Sequence, residues 1–285
     1  MFDISRLPSQ ISGTFPKRPF NVHKRQVGTV SVVGGSSHYI HAPVIAGLGS
    51  RAAGAGLVHL VVPDASRISS GALLPEATFT KLTQSCVPPR ADVCAAGMGL
   101  GMSVSSEVTI SRLLSGSSGR FVLDADALSV LAGWYAKNEG YDPVAGQEII
   151  LTPHEGEAAR LLGCACAEVT SDRIGAARAI ADRYGATVVL KSEKTLVVSM
   201  DGQRVFENTA GNPFMAMGGM GDLLAGVIAA RWSYLKGDPF LAASSAVWLH
   251  SQASDNVVEM LRDPSIANIA AEIGSLRVQL EVQGA

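Results

Sequence analysis

Acidic side chains, a lysine and glycine-rich turns stand in this chain where short apolar runs end. The sharpest case is Gly218-Gly219-Met220-Gly221-Asp222, which leads into the apolar stretch 223–230. A helix starting there presents free backbone N–H groups and a partial positive charge, and together these attract anions. Glycine lets the backbone approach a ligand closely. The N–H groups of residues 219–222 would hold a transferring phosphoryl group, and the Asp222 carboxylate would take the proton from an attacking hydroxyl. Such chemistry needs mainly positioning and charge neutralisation. The plain alternative for Asp222 is a helix N-cap, worth about 1 kcal/mol.

Two other glycine turns follow apolar runs, Gly34-Gly35-Ser36-Ser37 and Gly97-Met98-Gly99-Leu100-Gly101. Neither is a G-x-x-x-x-G-K-[ST] loop. The second places its third glycine one position early for G-x-G-x-x-G. Each alone reads as a tight turn, but three on one sheet edge would make a ligand-facing rim. Asp124 and Asp126 are either a cap-and-turn pair or groups for Mg²⁺ or substrate hydroxyls. His154 lies in Thr152-Pro153-His154-Glu155-Gly156-Glu157. It is either a loop histidine without a role or a site residue, while Glu155 and Glu157 suit a first helical turn. Lys191 is either a solvated edge lysine or a phosphate-neutralising cation. The polar turn Asn208-Thr209-Ala210-Gly211-Asn212-Pro213 leads into the 218–222 segment. No residue set reads as a resident metal site.

The elements that must position these groups alternate. Apolar, β-branched runs predict strands over 29–33, 57–62, 92–95, 121–124, 148–151, 187–190 and 196–200. Longer Ala/Leu-rich segments predict helices over 42–53, 103–114, 125–131, 155–162, 172–184, 222–232, 239–261 and 266–281. This order implies an α/β fold with a mostly parallel central sheet and helices on both faces. Right-handed crossovers then gather the post-strand loops on one side, where ligands of such folds bind. Asp201-Gly202 between β-rich runs predicts a hairpin. A single domain over 20–285, after an irregular, loosely held extension over 1–19, is the simplest account.

Composition closes off other classes. The chain has 285 residues, 47% hydrophobic and 17% charged, too apolar for intrinsic disorder. Glycine (30) and proline (13) show no repeat, which excludes collagen-like and low-complexity chains. A net charge of −2 gives no bulk reason to bind nucleic acid or an anionic membrane. The N-terminus lacks an apolar signal core. The best candidate for a membrane span, 44–62, carries Arg51, His59 and four glycines, and reads better as a buried helix followed by a strand. Cys86, Cys94, Cys164 and Cys166 form no C-x-x-C pair, so free thiols in a reducing, cytoplasmic setting are expected.

Taken in order, these motifs resemble the NAD(P)H-hydrate dehydratase family of the ribokinase-like superfamily. The resemblance rests on His23-Lys24, VSVVGGS from Val30, RAAGAGLV from Arg51, GMGLG from Gly97, VLDADAL from Val122, LTPHEGE from Leu151, Lys191 with Thr195, and NTAGNPFMAMGGMGD from Asn208. It covers roughly residues 20–280. It implies a ribokinase-like dehydratase domain that repairs (S)-NAD(P)HX, a hydrated nicotinamide cofactor, as a lyase on a kinase fold. ADP, in preference to ATP, would phosphorylate the added hydroxyl with Mg²⁺ present, and phosphate would then leave to restore NADH or NADPH. By the same resemblance Asp222 would be the base and a hydrate contact. Ala42, Gly99, Gly101 and His154 would line the hydrate pocket. Lys191, Ser192, Glu193, Lys194 and Thr195, with Asn212, Gly219 and Gly221, would hold the nucleotide. A homo-oligomer, and a separate epimerase for the hydrate, are expected partners.

The chain departs from the family's usual motifs at five places. Met220 stands for threonine in G-G-T-G-D, Met98 for proline in G-P-G-L-G, and Glu155 for proline in T-P-H-P-G-E. Phe214 stands for glycine, and Ile40-His41 for Thr-Gly. Two other readings stand beside this one, and the Met220, Glu155 and Phe214 departures motivate the second of them. One is a kinase of the same fold acting on a sugar or vitamin-precursor hydroxyl. The other is a non-catalytic nucleotide-binding relative. Fold alone does not separate the three.

Overall fold

The computed structural model describes residues 3–83, 88–115, 119–137 and 144–285. Cys86 and part of the 116–119 loop lie outside them. The described strands are β1 (Thr29–Val33), β2 (Leu57–Val62), β3 (Thr78–Lys81), β4 (Val93–Ala96), β5 (Arg120–Leu123), β6 (Glu148–Leu151), β7 (Thr187–Leu190), β8 (Leu196–Val198) and β9 (Val205–Glu207). They form one sheet in the order β3-β2-β1-β4-β5-β6-β7-β8-β9. Pairings from β3 through β7 are parallel, while β8 and β9 add antiparallel at one edge. The central runs are apolar almost throughout because helices cover both faces of the sheet.

The described helices are α1 (Ala42–Ala52), α2 (Asp64–Leu73), α3 (Val104–Leu114), α4 (Asp126–Lys137), α5 (Glu155–Leu162), α6 (Cys166–Ser171), α7 (Arg173–Tyr184), α8 (Met220–Leu235), α9 (Pro239–Glu259) and α10 (Ile266–Gln283). One core cluster packs α1, α8, α9 and α10 on one face, through residues such as Ala46, Ile228, Leu249 and Ile273. The second packs α3, α4, α5 and α7 through Ile110, Leu131, Ala158 and Ile180. The α/β architecture with a mostly parallel sheet is as expected.

Helix α8 owes its position to backbone contact with α1. A Cβ on Gly226 would stand 1.8 Å from the Ala46 carbonyl oxygen, so only glycine lets the helices approach this closely. Ser50 Oγ also donates across the contact to the Gly226 carbonyl at 3.0 Å. This seam aims the α8 N-terminus at the sheet edge.

Several expectations need correction. β3 and α2 were missed, because Thr78–Lys81 is a half-exposed edge strand without an apolar run, and Asp64–Leu73 is rich in serine. Helix α6 (Cys166–Ser171) has no counterpart among the expected helices. Asp172, expected inside a helix, instead caps α7 by accepting from the Gly175 N–H at 2.8 Å. Helix α8 begins at Met220, so Asp222 is not an N-cap; Gly219 is, in the left-handed region at φ 92°. The described part of the 1–19 segment carries two short 3-10 turns, Ile4–Arg6 and Ser9–Ile11, and is anchored to the body of the protein. Ile11 and Phe15 are fully buried, the Phe15 N–H donates to the Ala285 carbonyl at 2.7 Å, and Phe15 packs edge-on against Trp248. Among the described cysteines, Cys94, Cys164 and Cys166 are free. Burial pushes the Cys94 thiol up to about 12.

Candidate active site

The parallel ladder continues one residue past the strand ends and so lines up the site. The Gly97 N–H donates to Val33 O, Asp124 N–H to Ala96 O, Thr152 N–H to Leu123 O, and Lys191 N–H to Pro153 O, at 2.8–3.1 Å. Asp124, His154 and Lys191 therefore leave a common edge. Gly97 (φ 120°) is required there, since a Cβ would stand 1.9 Å from the Asp124 carbonyl oxygen.

At this edge Lys191 Nζ donates to Asp124 Oδ1 at 2.7 Å and lies 3.9 Å from Glu157 Oε2. The α8 N-terminus comes in from the other side, where a Cβ on Gly221 would meet Lys191 Nζ at 3.4 Å and Asp124 Oδ2 at 3.8 Å. Intrahelical bonding in α8 starts with Leu223 N–H to Gly219 O, so the N–H groups of Met220, Gly221 and Asp222 have no carbonyl a turn behind them. Asp222, in the first turn, is half-buried. Burial, and next the Asp124 charge, push its carboxyl up to about 7; Lys191 pulls it down and Asp126 adds to the rise. Burial opposes the charge on Lys191. The attraction of Asp124, Glu157 and Asp222, with the hydrogen bond to Asp124, nevertheless carries its pKa above the ordinary lysine value. A carboxyl poised near neutrality beside an anion-binding helix terminus is equipped for general base chemistry.

A cavity of about 710 Å³ opens beside this cluster. Its lining includes the expected His154, Lys191, Ser192, Glu193, Thr195, Asn212 and Gly221. Lys194 and Gly219 stand outside the lining. The Lys194 carbonyl accepts from Arg173 Nη2 at 2.7 Å, and Gly219 caps α8 against Ile45. Asn212 lines the cavity, but its Nδ2 already donates to Ser254 Oγ at 3.0 Å and Asp255 Oδ1 at 2.8 Å. With both amide hydrogens committed, Asn212 braces the turn and has none for a phosphate. His154 Nδ1 accepts from the Gly156 and Glu157 N–H groups and so caps α5.

The remaining expected residues form a neighbouring group. A Cβ on Gly99 would lie 3.1 Å from Ala42 Cβ, and the Gly101 N–H donates to Asp126 Oδ2 at 2.7 Å. Asp222 is felt electrostatically by both groups, through Lys191 and through Asp126. Glu155, whose charge stands where the motif carries proline, is offset by Arg173 at 3.4 Å. Met98 is fully buried, and Met220 is nearly so.

Sequence reasoning missed Arg173, Asn208, His250, Ser251 and Asp255 as parts of this architecture. Asn208 was noted only as part of a turn. The α9 residues carry no local signal, because they sit in an Ala/Ser-rich helix that only the fold brings to the cavity. For metal binding, no group of three or more His, Cys, Asp or Glu side chains among the described residues is spaced to hold an ion. Mg²⁺ usually binds through one or two carboxylates plus substrate phosphates. The residues present therefore fit a Mg²⁺ carried in on a nucleotide better than a resident ion.

The family profile described as NAD(P)H-hydrate dehydratase matches residues 30–269. The chain is 38% identical over 251 residues to the ADP-dependent (S)-NAD(P)H-hydrate dehydratase of Neisseria meningitidis, covering 86% of this chain and 82% of that one. It is also 38% identical to the bifunctional NAD(P)H-hydrate repair enzyme of Vibrio cholerae, over 84% of this chain, and it spans about half (47%) of that protein's length. The Bacillus subtilis ADP/ATP-dependent NAD(P)H-hydrate dehydratase, co-crystallised with ATP and Mg²⁺, superposes with a TM-score of 0.82 at 26% identity, covering 94% of this chain and 95% of that one. The match of the family profile and of these relatives along most of the chain places this protein in the NAD(P)H-hydrate dehydratase family.

Proposed function

We propose that this cleft carries out nucleotide-dependent dehydration of (S)-NAD(P)HX, with Asp222 as the base. The observation that carries the reading is the Asp222 carboxyl, pushed up to about 7 at the N-terminus of α8. Asp222 accepts the proton of the hydrate hydroxyl as its oxygen attacks the terminal phosphoryl group. The new O–P bond forms as the bond to the nucleotide leaving group breaks, while the N–H groups of Met220 and Gly221 and the Lys191 charge stabilise the moving phosphoryl oxygens. Phosphate then leaves with its bonding pair, a proton leaves the neighbouring ring carbon, and the double bond of the reduced nicotinamide is restored. Mg²⁺ bound to the nucleotide would neutralise phosphate charge.

The finer assignments belong to the same proposal. Lys191, Ser192, Glu193, Thr195 and Gly221 face the nucleotide, with Lys194, Asn212 and Gly219 bracing their loops. Ala42, Gly99, Gly101 and His154 face the hydrate. ADP is the phosphoryl donor, a reading supported by the likeness to the Neisseria enzyme. A cytoplasmic homo-oligomer of single domains over 20–285, with a separate epimerase supplying the S-hydrate, completes it. Among the described residues no helix is long and apolar enough to cross a membrane.

The test gives purified protein NADHX with ADP or ATP and Mg²⁺ and follows NADH recovery. Recovery with ADP is expected. No recovery with either nucleotide would overturn the proposal.

A further inference from the structure

Helix α7 begins at Arg173, a residue that stands outside the lining of the cavity. Its guanidinium nevertheless reaches the loop that does line it. Nη2 donates to Ser192 Oγ and to the Lys194 carbonyl, the second at 2.7 Å. Nε is buried without a hydrogen-bond acceptor of its own and stands 3.4 Å from Glu155 Oε1. Glu155 follows His154, the cap of α5. One planar cation thus ties the loop after β7 to the start of α5.

The helix that carries this cation is firmly held. Ala177, Ile180, Ala181 and Tyr184 of α7 are buried in the second core cluster, and Tyr184 Oη donates to the Leu161 carbonyl of α5 at 2.9 Å. The loop has less of its own to hold it. Glu193 and Lys194 are exposed. Its internal bonds include Lys194 N–H to Ser192 Oγ and Thr195 Oγ1 to the Ser192 carbonyl, both at 3.1 Å. Ser192 Oγ therefore accepts from Lys194 and from Arg173. That fills its two lone pairs and leaves its own hydrogen to offer. A hydroxyl held in this way is a donor, the polarity that an anionic phosphate oxygen requires.

We infer that Arg173 is a positioning residue for the nucleotide: it holds the 192–194 loop in its binding conformation through Ser192 Oγ and the Lys194 carbonyl, and Glu155 fixes the guanidinium in turn. This rests on the reading of the cleft as the nucleotide site. It gives a use to the Glu155 carboxylate, which stands where the resembling motif carries proline. Arg173 touches no reactant, so its loss acts on nucleotide affinity rather than on the chemical step.

The test measures ADP binding at equilibrium, together with kcat and the KM for ADP in NADHX turnover. Arg173→Met should weaken ADP about tenfold, the scale of a lost hydrogen bond to a charged group, with kcat at saturating ADP close to wild type. Arg173→Lys keeps the charge without the fork and should recover only part of the affinity. Wild-type ADP affinity in either variant overturns the inference, so Arg173→Lys decides it alone if Arg173→Met does not fold. A purely architectural Arg173 would lower the melting temperature and kcat while KM and Kd stay put, and that result also overturns it. Glu155→Gln should fall between wild type and Arg173→Met; wild-type affinity there removes Glu155 from the brace. In a Ser192→Ala background Arg173→Met should cost less than it does alone, because the two share one bond, and additive losses count against the inference. If Lys191→Ala leaves ADP affinity intact, the nucleotide sits elsewhere and the cleft reading falls as well. If Lys191→Ala weakens ADP while the Arg173 variants bind it normally, only the role of Arg173 is overturned.

Discussion

Lys191 Nζ stands 2.7 Å from Asp124 Oδ1, and that carboxylate is only 2% exposed on its side-chain atoms. The pair stabilises a charge that would otherwise be costly to bury. It also leaves Asp222 beside one cation and two further carboxylates, Asp124 and Asp126. Burial first, and then the two carboxylates against the one cation, hold the Asp222 carboxyl near 7, the range in which a proton acceptor works efficiently at physiological pH.

Asp222→Asn should lower kcat by about 10²–10⁴-fold, the usual worth of a positioned base, with nucleotide affinity little changed. Single-turnover NADH formation and ADP titration check both. A wild-type rate would remove Asp222 as the base.

The same carboxyl predicts a pH signature in stability. Its folded pKa of about 7 lies above the ordinary value of 3.8. Its contribution to stability is therefore complete below about pH 4 and is lost as pH rises through about 7. Asparagine has no charge to bury. Denaturant midpoints of Asp222→Asn should exceed those of the wild type at pH 8, and the advantage should shrink steadily towards pH 4.

Lys191→Met removes the group that pulls the Asp222 pKa down. The acidic limb of kcat/KM against pH, expected near 7 in the wild type, should move to higher pH. Leaving Asp124 buried without its partner should also lower the melting temperature. An unmoved limb would show that Lys191 does not act on the base.

Gly226→Ala places a methyl 1.8 Å from the Ala46 carbonyl oxygen. Helices α1 and α8 must separate, at a cost of about 1–3 kcal/mol or more, measurable by urea unfolding. Asp222 lies one helical turn away, so kcat should fall as well, although Gly226 touches no reactant.

Met220→Thr restores a hydroxyl where the resembling motif carries one, but it removes a side chain that is 7% exposed and belongs to the core. We expect a loss of about 1–3 kcal/mol in stability with kcat close to wild type. In the proposed mechanism the backbone N–H groups of α8 already meet the phosphoryl group. A large rise in kcat would show the hydroxyl to be limiting.

Much of this protein was legible in its sequence, for local reasons. Apolar runs ending in glycine, aspartate or lysine marked β1, β4, β5 and β7, because a strand buried on both faces must be apolar and must end in a turn. The 218–222 segment announced a helix-terminal anion site with a carboxylate beside it. The ordered motifs supplied the substrate, which no single motif contained. Residues brought together over long sequence separations were decided only by the tertiary structure. Burial together with Asp124, 98 positions away in the chain, sets the proton affinity of Asp222, and Ser254 and Asp255 commit the Asn212 amide. Helix α9 carries His250 into a cleft whose other walls come from the sheet edge and α8. Electrostatic and hydrogen-bond energies depend on distance in space, and local sequence patterns do not record it.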